Sequence, residues 1–198
     1  MFAYINGKIA DKANNYVVID AGGIGYKIFM STKAIESLNE IGTTQKVYTY
    51  YYVREDNISL YGFLSNEELR MFELLLSVSG IGAKSALAIL SEITPSSFAL
   101  AVITSDDSKL VKIPGIGKKT AARMILELKD KLKNETAIEK NEKIETAIKE
   151  DNKDSEAISA LQVLGYTNKE IEKALEKIDM AGMGVEDIIR KALAILSN

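Results

Sequence analysis

The strongest constraint on this chain is a short hairpin written twice. Val78 to Lys84 reads VSGIGAK and Ile113 to Lys119 reads IPGIGKK, with Gly80 and Gly115 separated by 35 positions. Each places Gly-Ile-Gly between an apolar residue and a run with helical spacing. Glycine at Gly80, Gly82, Gly115 and Gly117 admits positive φ and the close approach of another backbone. Ile81 and Ile116 can turn inward and pin the turn between two helices. The helix that follows starts with unpaired N–H groups at the positive end of its dipole. A phosphate fits there without a side-chain cavity, and Lys84, Lys118 and Lys119 can add point charge beside it. One such loop reads equally well as a tight interhelical turn with ordinary surface lysines. Two at a fixed offset point to paired clamps that grip nucleic-acid backbone rather than read bases.

The charge distribution agrees. The 198-residue chain carries a formal net charge of -3, so any basic surface is local. Lys109 to Lys133 holds seven Lys and one Arg against two acids, a net of +6. Arg123, four residues beyond Lys119, can reach the same side of the helix or act as a structural ion-pair partner. There is no Cys and no His. Disulfides and thiolate sites are excluded, and the commonest general base and metal ligand is missing. Neither GGIGYK around Gly22 nor GIGKKT is a nucleotide-hydrolysis loop. The first has no suitable helix after it; the second lacks the upstream glycine and has Lys119 where Ser or Thr is needed. Work on DNA would then draw its energy from a partner, and no cofactor or metal is expected. No run approaches the ~18 apolar residues of a spanning helix. The N-terminus does not read as a signal peptide, so a cytoplasmic chain without a membrane partner is expected.

The pattern divides the chain into three blocks and a linker. Residues 1–64 hold FAYINGKIA, a strand pair around Gly22 and Gly23, and QKVYTYYYV and ISLYGFL flanking a polar tip. Several short strands rich in Val, Ile and Tyr suggest a small β-barrel of the oligonucleotide-binding type, with an SH3-like barrel or a meander as alternatives. Residues 65–133 read as all-α, a double helix-hairpin-helix domain. Ser65 with Glu68 matches a capping box, Leu69, Phe72, Leu75 and Leu76 form one apolar face, and Ser105 can cap a short helix through Val111. Ala121, Ile125, Leu128 and Leu132 share a face of the last helix. Residues 134–154 carry seven acids and four bases. They read as a flexible solvated linker, with extension of the preceding helix as the alternative. Residues 155–198 read as a small three-helix domain, its second helix opened by Thr167 and Glu170, with Leu161, Leu164, Ile171, Leu175, Ile188 and Leu193 as core. A domain of that size usually binds something rather than holding an enzyme site.

The polar tip is Arg54-Glu55-Asp56-Asn57. On residues alone a plain solvated turn fits best. Adjacent carboxylates can also hold a divalent cation for phosphodiester cleavage, or repel phosphates and keep strands apart.

GGIGYK, VREDNISLYGF, SGIGAKSALAIL, LVKIPGIGKKTAARMILELKDKL and ALQVLGY together resemble the RuvA family, the Holliday-junction-binding subunit of the bacterial branch-migration complex. The likeness spans nearly the whole chain in the same block order. It implies a homotetrameric platform, one or two per four-way junction, that binds junction DNA and recruits a hexameric ATPase motor through a mobile C-terminal domain, with a junction resolvase as a cooperating partner. Glu55 and Asp56 carry over as the acidic pin that helps separate strands at the crossover, with Arg54 beside them at a central phosphate. A metal-dependent structure-specific nuclease is the alternative reading.

Overall fold

The computed structural model describes residues 1–55, 57–139 and 152–196. Five strands, β1 (Tyr4–Lys12), β2 (Tyr16–Ala21), β3 (Ile24–Phe29), β4 (Thr44–Val53) and β5 (Ile58–Phe63), form a closed barrel in the order β1-β2-β3-β5-β4. All neighbours are antiparallel except β3 and β5, whose parallel pairing closes the barrel. The period-two pattern explains the inside. Val17 and Ile19 on β2 are fully buried, and Ile5, Ile9, Ile28 and Val47 join them from the other strands. A short helix that the strand pattern does not reveal, α1 (Thr32–Glu36), follows β3 and adds Ala34 and Ile35 to this core.

The helical layer is α2 (Asn66–Leu76), α3 (Ala83–Glu92), α4 (Pro95–Thr104), α5 (Asp107–Val111) and α6 (Lys118–Glu139). The Ser65 hydroxyl accepts from the Glu68 N–H at 3.3 Å and so opens α2. The Glu68 carboxylate reaches one residue further back than a strict capping box, accepting from the Leu64 N–H at 3.0 Å. The buried stripe of α2 is Met71, Phe72 and Leu75, with Leu69 and Leu76 half-buried, so the apolar face is rotated from the sequence expectation. Phe72 joins barrel to helices: its ring lies 4.9 Å from Phe63, 5.2 Å from Tyr61 and 5.4 Å from Tyr50. Ser105 does not cap α5. It ends α4 in a left-handed conformation (φ 57°), and Asp106 stands at the N-cap of α5. Ala121, Ile125 and Leu128 are buried along α6 with Met124; the side chain of Leu132 lies outside the described residues.

α6 continues through Glu139, into the segment expected as linker, and the rest of that segment up to Asp151 lies outside the described residues. α7 (Asn152–Val163), α8 (Asn168–Leu175) and α9 (Val185–Leu196) follow. Leu161, Leu164, Ile171, Ile188 and Leu193 are core, as expected, and Leu175 packs against it. α4 is apolar almost all round, and the packing uses that. Phe98, Ala99, Ala101 and Val102 are all fully buried because α6 covers one side of α4 while α7 and α9 cover another. Ala157 and Ala160 on α7 are fully buried too, small side chains where helices approach closely. Polar contacts edge this seam. Arg70 Nη1 donates to the Gly165 carbonyl at 2.7 Å, its guanidinium lies 4.2 Å from the centre of the Tyr166 ring, and the Ser97 hydroxyl donates to Glu186. Burial, with the Glu67 carboxylate nearby, pushes the Tyr166 phenol up to about 12.

Candidate nucleic-acid interface

The two hairpins share one backbone. Val78 N–H donates to Leu75 O and Ile113 N–H to Leu110 O, each at 3.1 Å; Ile81 N–H donates to Val78 O at 3.1 Å and Ile116 N–H to Ile113 O at 3.0 Å. Gly80 and Gly115 stand at φ 85° and 84°, the left-handed region where a side chain is strained. Ile81 and Ile116 are both 7% exposed and so pin their turns to the core, as the sequence pattern implies. The helices repeat as well: Ala86, Ile89 and Leu90 are buried on α3, and Ala121, Met124 and Ile125 on α6. Each pair of counterparts is 35 positions apart.

Gly82 and Gly117 do a different job from Gly80 and Gly115. Gly82 has an ordinary extended backbone (φ -97°, ψ 173°), and a Cβ built on either residue would meet nothing within 4 Å. They hold space open at the two helix starts rather than a strained turn. α3 has no side-chain N-cap bond, and neither α3 nor α6 has an acid in its first turn. Lys84, Lys118 and Lys119 are exposed beside these starts. Backbone N–H groups, open space and cationic side chains are what an oxyanion of a nucleic-acid backbone requires.

Arg123 is in contact with the backbone of the first hairpin. Its Nη1 lies 3.5 Å from the carbonyl of Ser79, in the first hairpin, and 3.6 Å from where a Gly80 Cβ would stand. One turn along α6, Glu127 Oε2 accepts from the Ser79 N–H at 2.9 Å. Ser79 and Glu127 carry no sequence signal of this role; no local pattern marks a contact spanning 48 positions. Lys129 is also engaged structurally, donating to the Ser105 hydroxyl at 2.6 Å. Arg123 and Lys129 thus each contact polar groups of the protein itself.

The polar tip lies at the β4–β5 turn, closed by Arg54 N–H donating to Asn57 O at 2.8 Å. Arg54 is braced: its Nε donates to the Tyr52 hydroxyl at 3.0 Å, and its guanidinium lies 5.1 Å from the centre of that ring. Residues two apart share a face of a strand, which is the signal that could have named Tyr52. Glu55 is exposed at the tip, and Asp56 lies outside the described residues. Among the described residues no three acidic side chains gather as a divalent cation would need. Apolar side chains surround the tip unprotected. Val53 is 54% and Ile58 66% exposed, and the exposed Phe2 ring meets Tyr51 edge-on at 5.8 Å.

Comparison with known proteins accounts for each region in turn. A model of the RuvA N-terminal domain matches residues 1–62, a SAM-like helix-hairpin-helix tandem matches 72–130, and a model of the RuvA C-terminal domain matches 152–197. The Holliday junction branch migration complex subunit RuvA of Acetivibrio thermocellus is 51% identical, covering 98% of this chain and 97% of its own. Its namesake in Ruminiclostridium cellulolyticum is 47% identical over 99% and 100%. That of Clostridium perfringens is 46% identical over 99% of each. With identity at this level along the full length, and the barrel, the tandem hairpins and the C-terminal helices all matched in order, the chain belongs to the RuvA family.

Proposed function

We propose that this chain is a non-catalytic scaffold that recognises the shape of a four-way DNA junction and grips its arms by their phosphates. The observation that supports this most is the repeated hairpin. Two glycine turns of one geometry each lead into a helix start with no acid in its first turn and with exposed lysine beside it. Residues 80, 82, 84, 115, 117, 118 and 119 form the two clamps. The relatives are named as subunits of a branch migration complex, so movement of the crossover falls to a partner. That partner is a hexameric ATPase engaged by α7–α9, working in recombination and repair.

Four copies around a four-fold axis would offer the same clamps to each of four arms, as a single platform or as two facing ones. The exposed apolar strip beside the tip, Phe2, Tyr51, Val53 and Ile58, suits burial between copies. The tips would then meet near the axis. Glu55 and Asp56 would disfavour phosphate at the centre while the outer hairpins attract it, which couples seating of the junction to separation of its strands. Arg54, braced by Tyr52, supplies positive charge beside them for a central phosphate.

The test is a binding titration of a labelled four-way junction and a matched linear duplex across a salt series, with the parent chain and a Lys118→Ala, Lys119→Ala variant. The parent should prefer the junction and bind it with steep salt dependence. The variant should lower the log–log salt slope by roughly 0.9 for each phosphate it no longer neutralises. Equal affinity for the two DNAs would overturn the reading, and magnesium-dependent cutting of the junction would replace it with the nuclease.

A further inference from the structure

The two hairpins are alike in backbone but are held in place by different means. In the second, the residue before Gly115 is Pro114. Its ring fixes its own φ, restricts Ile113, and leaves no N–H to be satisfied. In the first, the same place is Ser79, a residue with free rotation and an N–H to satisfy. That N–H is taken by Glu127 at 2.9 Å, and the carbonyl of the same residue is approached by Arg123 at 3.5 Å. Both partners lie on α6, the helix that begins at the second hairpin. Within the repeat the counterpart of Glu127 is Glu92, and the counterpart of Ser79 is Pro114, which has no proton to give. The cross-strut therefore exists in one direction only.

We propose that Glu127 is a positioning residue for DNA binding. Through Ser79 it fastens the first clamp to the helix that carries the second, so that both meet one stretch of DNA backbone at a set spacing. This rests on the phosphate-clamp reading above. A carboxylate beside a phosphate site is an electrostatic liability, since like charges repel. Its cost is limited here because it accepts a backbone N–H and lies one helical turn from a guanidinium. Arg123 is then a positioning group too, its charge held over the first hairpin rather than extended toward an arm.

Electrostatics and positioning predict opposite signs, which makes the idea testable. Removing a negative charge next to a bound polyanion should tighten binding if charge is all that matters. If Glu127 positions the clamp, Glu127→Ala should weaken it. The experiment measures the affinity of the parent, Glu127→Ala and Glu127→Gln chains for a labelled four-way junction assembled from synthetic strands, each across a salt series. Hydrogen exchange at the Ser79 amide is followed in the same three proteins. Glu127→Ala should bind about fivefold more weakly, the scale of one missing hydrogen bond. Its salt slope should match the parent's, because every phosphate-facing group is retained, and its Ser79 amide should exchange faster. Glu127→Gln keeps an acceptor for that amide and sheds the charge. It should restore slow exchange and bind at least as tightly as the parent, a rescue that general destabilisation would not produce. Glu127→Ala binding as tightly as the parent or more so, or a Gln variant as weak as the Ala one, overturns the proposal and leaves the clamp reading standing. A parent chain with no preference for the junction overturns the clamp reading itself.

Discussion

α3 and α8 begin under the same electrical rule and satisfy it differently. α8 opens on Thr167, whose hydroxyl accepts the Glu170 N–H. The Glu170 carboxylate in turn accepts from the Thr167 N–H at 2.9 Å and its hydroxyl at 2.8 Å. A carboxylate of the chain's own thus occupies the positive end of that helix. α3 opens on Gly82, which has no side chain to offer, and its first turn holds no acid. A helix start filled from within is architecture. A start with no acid of its own, repeated at α6 with the same turn and with lysines beside both, is the feature on which the proposed phosphate clamps rest.

The largest effect should come from erasing that difference. Gly82 has the extended backbone an N-cap residue ordinarily adopts, and a Cβ added at Gly82 or Gly117 meets nothing within 4 Å. Gly82→Asp with Gly117→Asp would give each hairpin-fed helix a carboxylate of its own, where α8 already has one. Junction affinity should fall roughly 100-fold or more, the scale of two charged hydrogen bonds removed. The melting temperature should hold or rise slightly, since Asp caps a helix better than Gly by only a few tenths of a kcal/mol. Anisotropy titration and a thermal melt on the same sample read both. Undiminished affinity would mean that phosphates do not sit at these helix starts.

A middle-sized effect tests whether the two hairpins are as alike as their backbones suggest. Gly80→Ala and Gly115→Ala each force a side chain into the left-handed region, at about 1–2 kcal/mol. Neither new methyl would clash: the nearest atom is Arg123 Nη1 at 3.6 Å for Gly80, and nothing lies within 4 Å for Gly115. The two variants should therefore lose equal stability in urea unfolding. A much cheaper Gly115→Ala would show that the turns differ in ways their shared φ conceals.

What was legible in the sequence was what is local. Strands announced themselves as short runs rich in Val, Ile and Tyr, Thr167 and Glu170 by capping spacing, and the hairpins by Gly-Ile-Gly before a helix. The misreadings were of neighbours competing for one place. Ser105 was expected to open α5 and instead closes α4, with Asp106 standing at the α5 N-cap. On α2 the buried stripe includes Met71 rather than Leu69, because the barrel's Tyr50, Tyr61 and Phe63 set which side of the helix faces inward. The unread contacts all span long distances in the chain. Ser79 with Glu127, Arg70 with Gly165 and Ser97 with Glu186 have no sequence period to betray them. One hint was present: α4 is apolar almost all round, and a helix with so little polar face must be covered on more than one side.

The smallest effect belongs to α8 and uses pH to weigh the comparison from its other end. The Thr167 N–H, and then its hydroxyl, hold the Glu170 carboxyl below its ordinary value of 4.5. The carboxylate form is therefore favoured by folding. Its contribution is fully present above that ordinary value and is lost as pH falls through the lower, folded one, because the unfolded chain binds the proton first. Glu170→Gln should remove this contribution and flatten the acid limb of the stability curve, with little change at neutral pH beyond the weaker cap. Glu170 is exposed, so water screens the charge and the change is small. The same substitution should leave junction affinity untouched, because the anion at this helix start belongs to the chain itself. If stability of the Gln variant tracked the parent through the acid range, the carboxylate at α8 would be doing no electrostatic work. The contrast with α3 would then rest on shape alone.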